Sequence, residues 1–329
     1  MSKVRFFLKR ITQTVFLLWL VLTFLFFLFR LMPGDISDIL LYQGADPDTV
    51  AEFEESWGLN DPLYVQYFQY IYNFILLEPG YSVQTNEPVW DFVKMNIFNT
   101  FILAAPAITL AYILGAVIGT VTGTKRGGKL EKFVPVPLLT IGAIPEFFLA
   151  ILMIIVFAGF LGWFPTSSMI DPAVANQYSD DPWWRIYFTQ SFAMHFVLPF
   201  TTVVLRYLFL PSLIMRTSVV EVLGQDFIFY KRVTGLPKSA RLKSIAKHSS
   251  LPVITLYPIS MARAIGGLVL IETVFNWPGM GYALVQAVLA RDFATVQFVF
   301  FVIAAFVIVA NFVIDIFYSV IDPRVSLDD

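Results

Sequence analysis

The residues with chemistry to offer in this 329-residue chain are few, and most are charges set inside long apolar runs. Glu146, Arg206, Arg263 and Asp315 lie within such runs, and Glu272 lies near the end of one. Where an apolar run crosses a bilayer, an ionisable side chain is costly unless it pairs with an opposite charge or faces a water-filled path. Arg206, Arg263 and Glu272 therefore read equally as inter-helix locks or as lining of a path. Glu146 is the one acid placed near the middle of its run. Asp315 reads as structural, because Asn311 lies one helical turn away and can share its packing interface. Other chemistries find little support. The two histidines, His195 and His248, stand in no metal-ligand or triad spacing. The absence of cysteine excludes disulfides, thiolate metal sites and thiol nucleophiles. Gly123-Thr-Lys-Arg-Gly-Gly-Lys129-Leu130 nearly spells a phosphate-binding loop. However, Leu130 stands where a Mg²⁺-binding hydroxyl is needed, and an apolar run precedes it where a strand should. It reads as a basic turn, so the chain is expected to hold no catalytic residue, no metal and no nucleotide of its own.

The elements that must position these charges are apolar helices. Hydrophobic residues make up 57% of the chain, mean hydropathy is +0.72, and charged residues are 14% against roughly 25% in soluble domains. Six stretches reach the roughly 20 residues that span a hydrocarbon core: Ile11 to Met32, Thr100 to Thr122, Val136 to Leu161, Phe192 to Met215, Leu251 to Ile271 and Val296 to Ile321. This predicts an all-α bundle of six transmembrane helices. The first run follows Lys3, Arg5, Lys9 and Arg10, but it exceeds the 7–15 residues of a signal peptide and no small-x-small site follows, so it reads as a retained helix.

Charge gives the orientation. Lys125, Arg126, Lys129 and Lys132 follow the second run, and seven basic residues lie between Arg216 and Lys247. Between Pro33 and Lys94 there are eleven acidic residues and a single Lys. The positive-inside rule then places both termini in the cytoplasm. The net charge of −2 hides this asymmetry, and basic residues scattered along one membrane face indicate no nucleic-acid partner.

Other features concern packing. Gly115, Gly119 and Gly123 recur at four-residue spacing, which puts small residues on one face and permits close approach of another helix. Pro145, Pro199 and Pro211 allow kinks. In the long segment from Pro33 to Asn96, Asp46-Pro47-Asp48 reads as a helix start and Trp57 to Pro62 as its end. Tyr64, Tyr67, Phe68, Ile71, Tyr72 and Ile75 then form an apolar helical stripe expected to pack as a lid on the bundle.

The stretch from Arg216 to Pro252 is far longer than two helices need for a connection. Val219, Leu223, Phe227 and Tyr230 stand at helical spacing on one apolar face. Gly235 sits where a helix ends in a left-handed residue, Pro237 follows, and Lys238, Arg241, Lys243 and Lys247 lead into the next run. A structured helix outside the membrane suggests a docking surface for a soluble partner.

This segment resembles the cytoplasmic loop of the inner-membrane permease subunits of binding-protein-dependent ABC importers, in the dipeptide, oligopeptide and nickel branch. The matching residues are Arg216, Thr217, Glu221, Val222, Asp226, Phe227, Gly235, Leu236, Leu251 and Pro252. Where the family commonly has Ala-x-Ala-Lys, this chain has Lys231, Arg232, Val233 and Thr234. The likeness extends to Pro33-Gly34-Asp35, Asn99-Thr100, Ile144-Pro145, Leu161 to Pro165, Glu272 to Gly281, Arg291-Asp292, Asn311, Asp315 and Asp322-Pro323-Arg324.

The resemblance implies the type I importer permease fold, first permease of a pair. It divides into residues 1–32, an extracytoplasmic region 33–96, a core 97–321 with a coupling loop 216–250, and a tail 322–329. It implies that Glu221, Gly224, Asp226, Phe227, Tyr230, Gly235 and Leu236 couple to an ATPase, while Arg206, Arg263, Glu272 and Glu146 are candidates for the path. The implied partners are a homologous second permease, two cytoplasmic ATPases that carry ATP and Mg²⁺, and an extracytoplasmic binding protein that could contact the stripe after residue 62. Peptides are the expected substrates, with nickel, glutathione or oligosaccharides as alternatives. A secondary transporter or channel would instead show inverted repeats or several midplane carboxylates, and neither is evident. A membrane scaffold recruiting a signalling protein is the third reading.

Overall fold

The computed structural model describes residues 3–31, 58, 60–82, 84, 85 and 87–321. The expected helix at Asp46-Pro47-Asp48, the Pro33-Gly34-Asp35 motif, Trp57 and Leu59 at the helix end, and the tail 322–329 lie outside the described residues. Among the described residues every regular element is helical, with one isolated bridge between Tyr81 and Pro88.

The chain divides into two compact units. The first comprises residues Met1–Asn96 and Ala283–Asp329, the second Ile97–Tyr282. Within the first, α1 (Lys3–Arg30) packs along the C-terminal helix α14 (Phe293–Ile321), and α2 (Leu63–Ile75) lies on α1. Arg10 pairs with Asp315 at 3.1 Å across α1 and α14, so the charge at Asp315 is held by an ion pair. Asp292, almost fully buried before α14, accepts from Ser82 Oγ at 2.5 Å and from Thr295 Oγ1 at 2.8 Å.

The stripe on α2 does not pack as expected. Gln66, Tyr70 and Phe74 are its buried residues, Tyr67 and Ile71 are half-buried, and Tyr64, Phe68, Tyr72 and Ile75 are exposed. The physical reason is that an apolar stripe identifies the inward face only in water. Lipid is as apolar as a protein interior, so aromatic residues can face outward and polar ones inward. Here Gln66 accepts from Arg30 Nε at 2.7 Å and donates to Asp61 O at 2.8 Å.

The second unit is built around two long helices, α3 (Val89–Thr124, which begins in the first unit) and α8 (Gln190–Leu223). Between them come α4 (Lys129–Phe133), α5 (Pro135–Ala143), α6 (Glu146–Met153), a π-helix at Ile154–Phe160 and the short α7 (Pro172–Gln177). After α8 come α9 (Asp226–Val233), α10 (Lys238–Ser249), α11 (Leu251–Gly267) and α12 (Val269–Phe275), and α13 (Met280–Leu289) leads out of the unit.

Among the described residues four helices are long and apolar enough to cross a membrane, over Phe7–Arg30, Val89–Thr124, Gln190–Leu223 and Phe293–Val313; the count is six if each of two bent pairs is one span. The third run is sharply bent at the proline that allows a kink. Lys129–Ala143 and Glu146–Phe160 meet at 104°, because Ile144 is extended (φ −69°, ψ 132°) ahead of Pro145, whose ring disfavours helical geometry in the preceding residue. The fifth run bends by 56° between Leu251–Ala264 and Val269–Phe275. In contrast, α8 runs unbroken through Pro199 and Pro211.

Candidate functional site

The extramembrane segment is built by two breaks close together in sequence. The helix α8 ends at Gly224 (φ −81°, ψ −2°), and Gln225 turns extended (φ −88°, ψ 143°) before α9 starts at Asp226. The single apolar face expected over Val219, Leu223, Phe227 and Tyr230 is therefore split between two helices. Val219 is buried within α8, Phe227 is half-buried in α9, and Tyr230 is exposed. Gly224, which loses the most backbone entropy in a helix, stands where α8 ends despite the continuing apolar spacing. Asp226 in the first turn of α9, with Lys231 and Arg232 in its last, complements the helix dipole.

The end of α9 is a two-bond cap. Gly235 adopts φ +77°, its N–H donates to Arg232 O at 3.3 Å, and Leu236 N–H donates to Lys231 O at 3.2 Å. This is the Schellman arrangement, whose left-handed residue carries no Cβ penalty when it is Gly. Side chains then fix α9 on α10. Lys231 Nζ donates to Ser244 Oγ at 2.5 Å and lies 5.2 Å from the Phe227 ring, and the Phe227 and His248 rings meet at a tilt of 42° with centroids 4.8 Å apart.

What remains outward is apolar: Phe229 is 65% exposed, Tyr230 68% and Val233 67%, while Ile228 is the buried residue. Leu236, Gly224, Asp226 and Glu221 are exposed beside them. Phe229 and Val233 were not singled out from the sequence. Their i, i+4 spacing becomes a signal only when the helix is started afresh at Asp226.

Glu272 lies elsewhere and is fully buried. It accepts from Thr100 Oγ1 at 2.6 Å through Oε1, and from the N–H groups of Gly281 at 2.7 Å and Tyr282 at 3.1 Å through Oε2. Among the described residues no Lys or Arg pairs with it; backbone N–H groups and a hydroxyl neutralise it. Thr100 Oγ1 also accepts from Met280 N–H at 2.8 Å. Beside it, Trp277 Nε1 donates to Asn99 O at 3.0 Å, Asn99 Nδ2 donates to Pro278 O at 2.8 Å, and the Tyr187 hydroxyl donates to Asn99 Oδ1 at 2.6 Å. Burial pushes the Tyr187 hydroxyl up to about 12, so it remains a donor. Glycine recurs here because the carboxylate lies on the backbone. A Cβ at Gly279 would sit 2.6 Å from Glu272 Oε2, and one at Gly281 would sit 2.7 Å from Val269 Cγ2. The turn itself passes through Asn276 at φ +47°, a conformation Asn tolerates.

The remaining charges fall into different settings. Glu146, in the first turn of α6, stands 3.8 Å from Arg206 Nε, an ion-pair distance too long for a hydrogen bond. Arg263 on α11 is exposed and makes no ion pair among the described residues. Glu131 pairs with Arg216 and also accepts from Gly127 N–H at 2.5 Å. The phosphate-loop look-alike thus spends a backbone donor on a carboxylate of its own chain.

The small-residue stripe on α3 lies against α8. A Cβ at Gly115 would meet Pro211 Cγ at 2.7 Å, one at Gly119 would meet Met215 Cβ at 2.6 Å and Arg216 N at 2.8 Å, and one at Gly123 would meet Val219 Cγ1 at 2.8 Å. Gly119→Val should therefore force the two helices apart, with a loss of about 1–3 kcal/mol from overpacking. Gly267→Ala, where a Cβ meets nothing within 4 Å, should leave stability unchanged or raise it. Thermal unfolding of both variants in detergent checks this; equal midpoints would mean the stripe is not a tight contact.

Two family models match the sequence: the binding-protein-dependent transport system inner membrane component over residues 113–327, and the N-terminal part of such membrane components over residues 3–104. A probable peptide ABC transporter permease protein of Sinorhizobium fredii is 32% identical, covering 97% of this chain and 98% of the relative. A putative peptide transport system permease protein of Brucella abortus is 31% identical, covering 98% of each. A di/tripeptide transport system permease protein of Pseudomonas aeruginosa is 30% identical, covering 91% of this chain and 92% of the relative.

Proposed function

We infer the function from one premise: the chain belongs to the family of binding-protein-dependent transport system inner membrane components. It is a multi-pass permease subunit of an ABC importer, and peptides are its substrate class, supported by relatives named as peptide and di/tripeptide permeases. The observation that carries the mechanism is the exposed apolar face of Phe229, Tyr230 and Val233 on a helix capped at Gly235.

In this reading α9 seats in a groove of a cytoplasmic ATPase. Glu221, Gly224, Asp226, Phe227, Tyr230, Gly235 and Leu236 shape or flank that contact. ATP and Mg²⁺ bind on two partner ATPases, a second permease completes the path, and an extracytoplasmic binding protein delivers the peptide. The ATPase closes on ATP and pulls α9 with it. Because α9 is fixed on α10 and joined to the end of α8 through only Gly224 and Gln225, its displacement reaches the membrane helices. Such coupling requires the ATPase to bind the two permease states with different affinity. Arg263, exposed on a membrane helix, is assigned to the path, as is the loosely paired Arg206 with Glu146. Glu272 is assigned to hold the 276–282 turn against the start of the Thr100 run.

The orientation follows the Lys and Arg asymmetry, with both termini and α9 cytoplasmic. Because the chain lacks Cys, Asn60→Cys and Ser239→Cys can each be labelled in intact cells without background. Asn60→Cys should react with an impermeant maleimide from outside and Ser239→Cys only after lysis. The reverse pattern would overturn the import reading. Function is tested by ATP-dependent peptide uptake into vesicles holding the whole complex. Uptake that follows an ion gradient and ignores ATP would defeat the assignment.

A further inference from the structure

The end of α1 and one side of α2 border a partly open cavity of about 70 Å³, lined by Arg30, Gln66, Gln69, Tyr70, Asn73 and Gly80 among others. One water needs roughly 10–15 Å³ measured this way, so the space suits a small polar group with a few waters. Among the described residues no acidic side chain lines it. Arg30 brings the charge. Its Nε donates to Gln66 Oε1 at 2.7 Å, its guanidinium carbon lies 4.4 Å from the Phe26 ring centroid, and among the described residues no carboxylate pairs with it. Tyr70 brings a second, independent sign of a ligand. The residue is only 8% exposed, yet its hydroxyl is buried with no hydrogen-bond partner. Buried polar groups are seldom left this way, because an unmade bond forfeits the hydration lost on burial.

Among the described residues, a cation without a counter-ion, a buried hydroxyl without an acceptor and neighbouring carboxamides form a donor-rich pocket with no anion. We propose that this cavity binds one oxyanion, a phosphate or carboxylate group, held by the Arg30 guanidinium and the Tyr70 hydroxyl, with Gln69 and Asn73 within the same lining. Guanidinium matches such groups because its planar donors can engage two oxygens at once. Arg30 is the last residue of a helix long enough to span a membrane, which puts it where lipid headgroups lie. A phospholipid headgroup and a free anion offer the same chemistry, and the experiment separates them. The site shares no residue with α9 or with the path charges, so its failure would leave the importer reading untouched.

The test titrates the full chain in neutral detergent at constant ionic strength with inorganic phosphate, with acetate and with short-chain phosphatidylglycerol, reading the thermal midpoint. Wild type should be stabilised by at least one probe. Tyr70→Phe is the decisive variant, because it removes only the hydroxyl. Without ligand it should be as stable as wild type or more so, since an unsatisfied group is lost. With ligand its apparent affinity should fall about tenfold, the worth of one hydrogen bond to a charged group. Arg30→Gln should abolish the response. Stabilisation by phosphate or acetate identifies a free anion as sufficient, and stabilisation by the lipid alone identifies a headgroup site. No response to any probe, or an equal response in wild type and Tyr70→Phe, overturns the proposal.

Discussion

Glu272→Ala should lower the stability of the chain by on the order of 3 kcal/mol, while Glu272→Gln should cost about 1 kcal/mol or less. Alanine leaves Thr100 Oγ1 and the N–H groups of Gly281 and Tyr282 without their acceptor in a site that excludes water. Each unsatisfied buried donor costs roughly 1–3 kcal/mol, and relief of the carboxylate's own desolvation offsets part of the sum. Glutamine preserves most of the pattern. Its carbonyl can face Gly281 and Tyr282, and its amide can donate to Thr100 Oγ1, a hydroxyl with two acceptor lone pairs. Thermal unfolding with peptide uptake on the same preparations distinguishes a lock from a path residue. A lock predicts that uptake follows stability, so Glu272→Gln transports. If Glu272→Gln folds as wild type yet transports nothing, the negative charge acts on the path and the positioning role assigned here is wrong.

Glu272 and the cap at Gly235 draw on partners at very different sequence distances, and that decides how far each could be read in advance. Glu272 is visible as a charge within an apolar run, but nothing local says that its partners are Thr100, 172 positions away, and the backbone of the turn after Pro278. Backbone donors leave no mark on residue type except indirectly, through Gly279 and Gly281, where a side chain would strike the carboxylate or Val269. The cap at Gly235 is the opposite case. A left-handed residue, a following Pro and a helix dipole complement all lie within a dozen positions, so the positive φ was legible.

Errors of reading arose where one periodicity has two meanings. The spacing from Val219 to Tyr230 stays helical across Gly224 and Gln225, although the chain turns there and places Phe229 and Val233 outward. On α2, aromatic residues at helical spacing were expected to face protein, and they face outward, because the surroundings of a membrane protein do not reward the same face as water does. The third apolar run is long enough to span, and only the extended Ile144 before Pro145 makes it two limbs. Composition could announce the membrane. It could not choose between a straight span and a bent one.

Changes on α9 should have the largest functional effect with the smallest structural one. The Gly235 Cβ position is open, with no atom within 4 Å, so Gly235→Val strains the backbone without striking a neighbour. A left-handed conformation costs a residue with a Cβ about 1–2 kcal/mol, and more when it is β-branched. The cheapest escape is to abandon the cap, release the bonds to Arg232 and Lys231, and let the last turn of α9 fray. Val233 and Leu236 would then leave their positions while the membrane helices stay intact. Gly235→Asn is the matched control, since Asn visits this conformation readily; it should retain coupling. Phe229→Ala probes the contact itself. The residue is exposed in the free chain, so the fold should not change, yet a buried aromatic anchor lost from an interface costs about 1–3 kcal/mol, or roughly five- to 150-fold in affinity. Co-purification of the ATPases and peptide-stimulated ATP hydrolysis are the readouts. Gly235→Val and Phe229→Ala should both lose them with normal membrane insertion. Unaltered association and hydrolysis in both would leave α9 a connector, and the transmission of ATPase closure would have to enter the permease elsewhere.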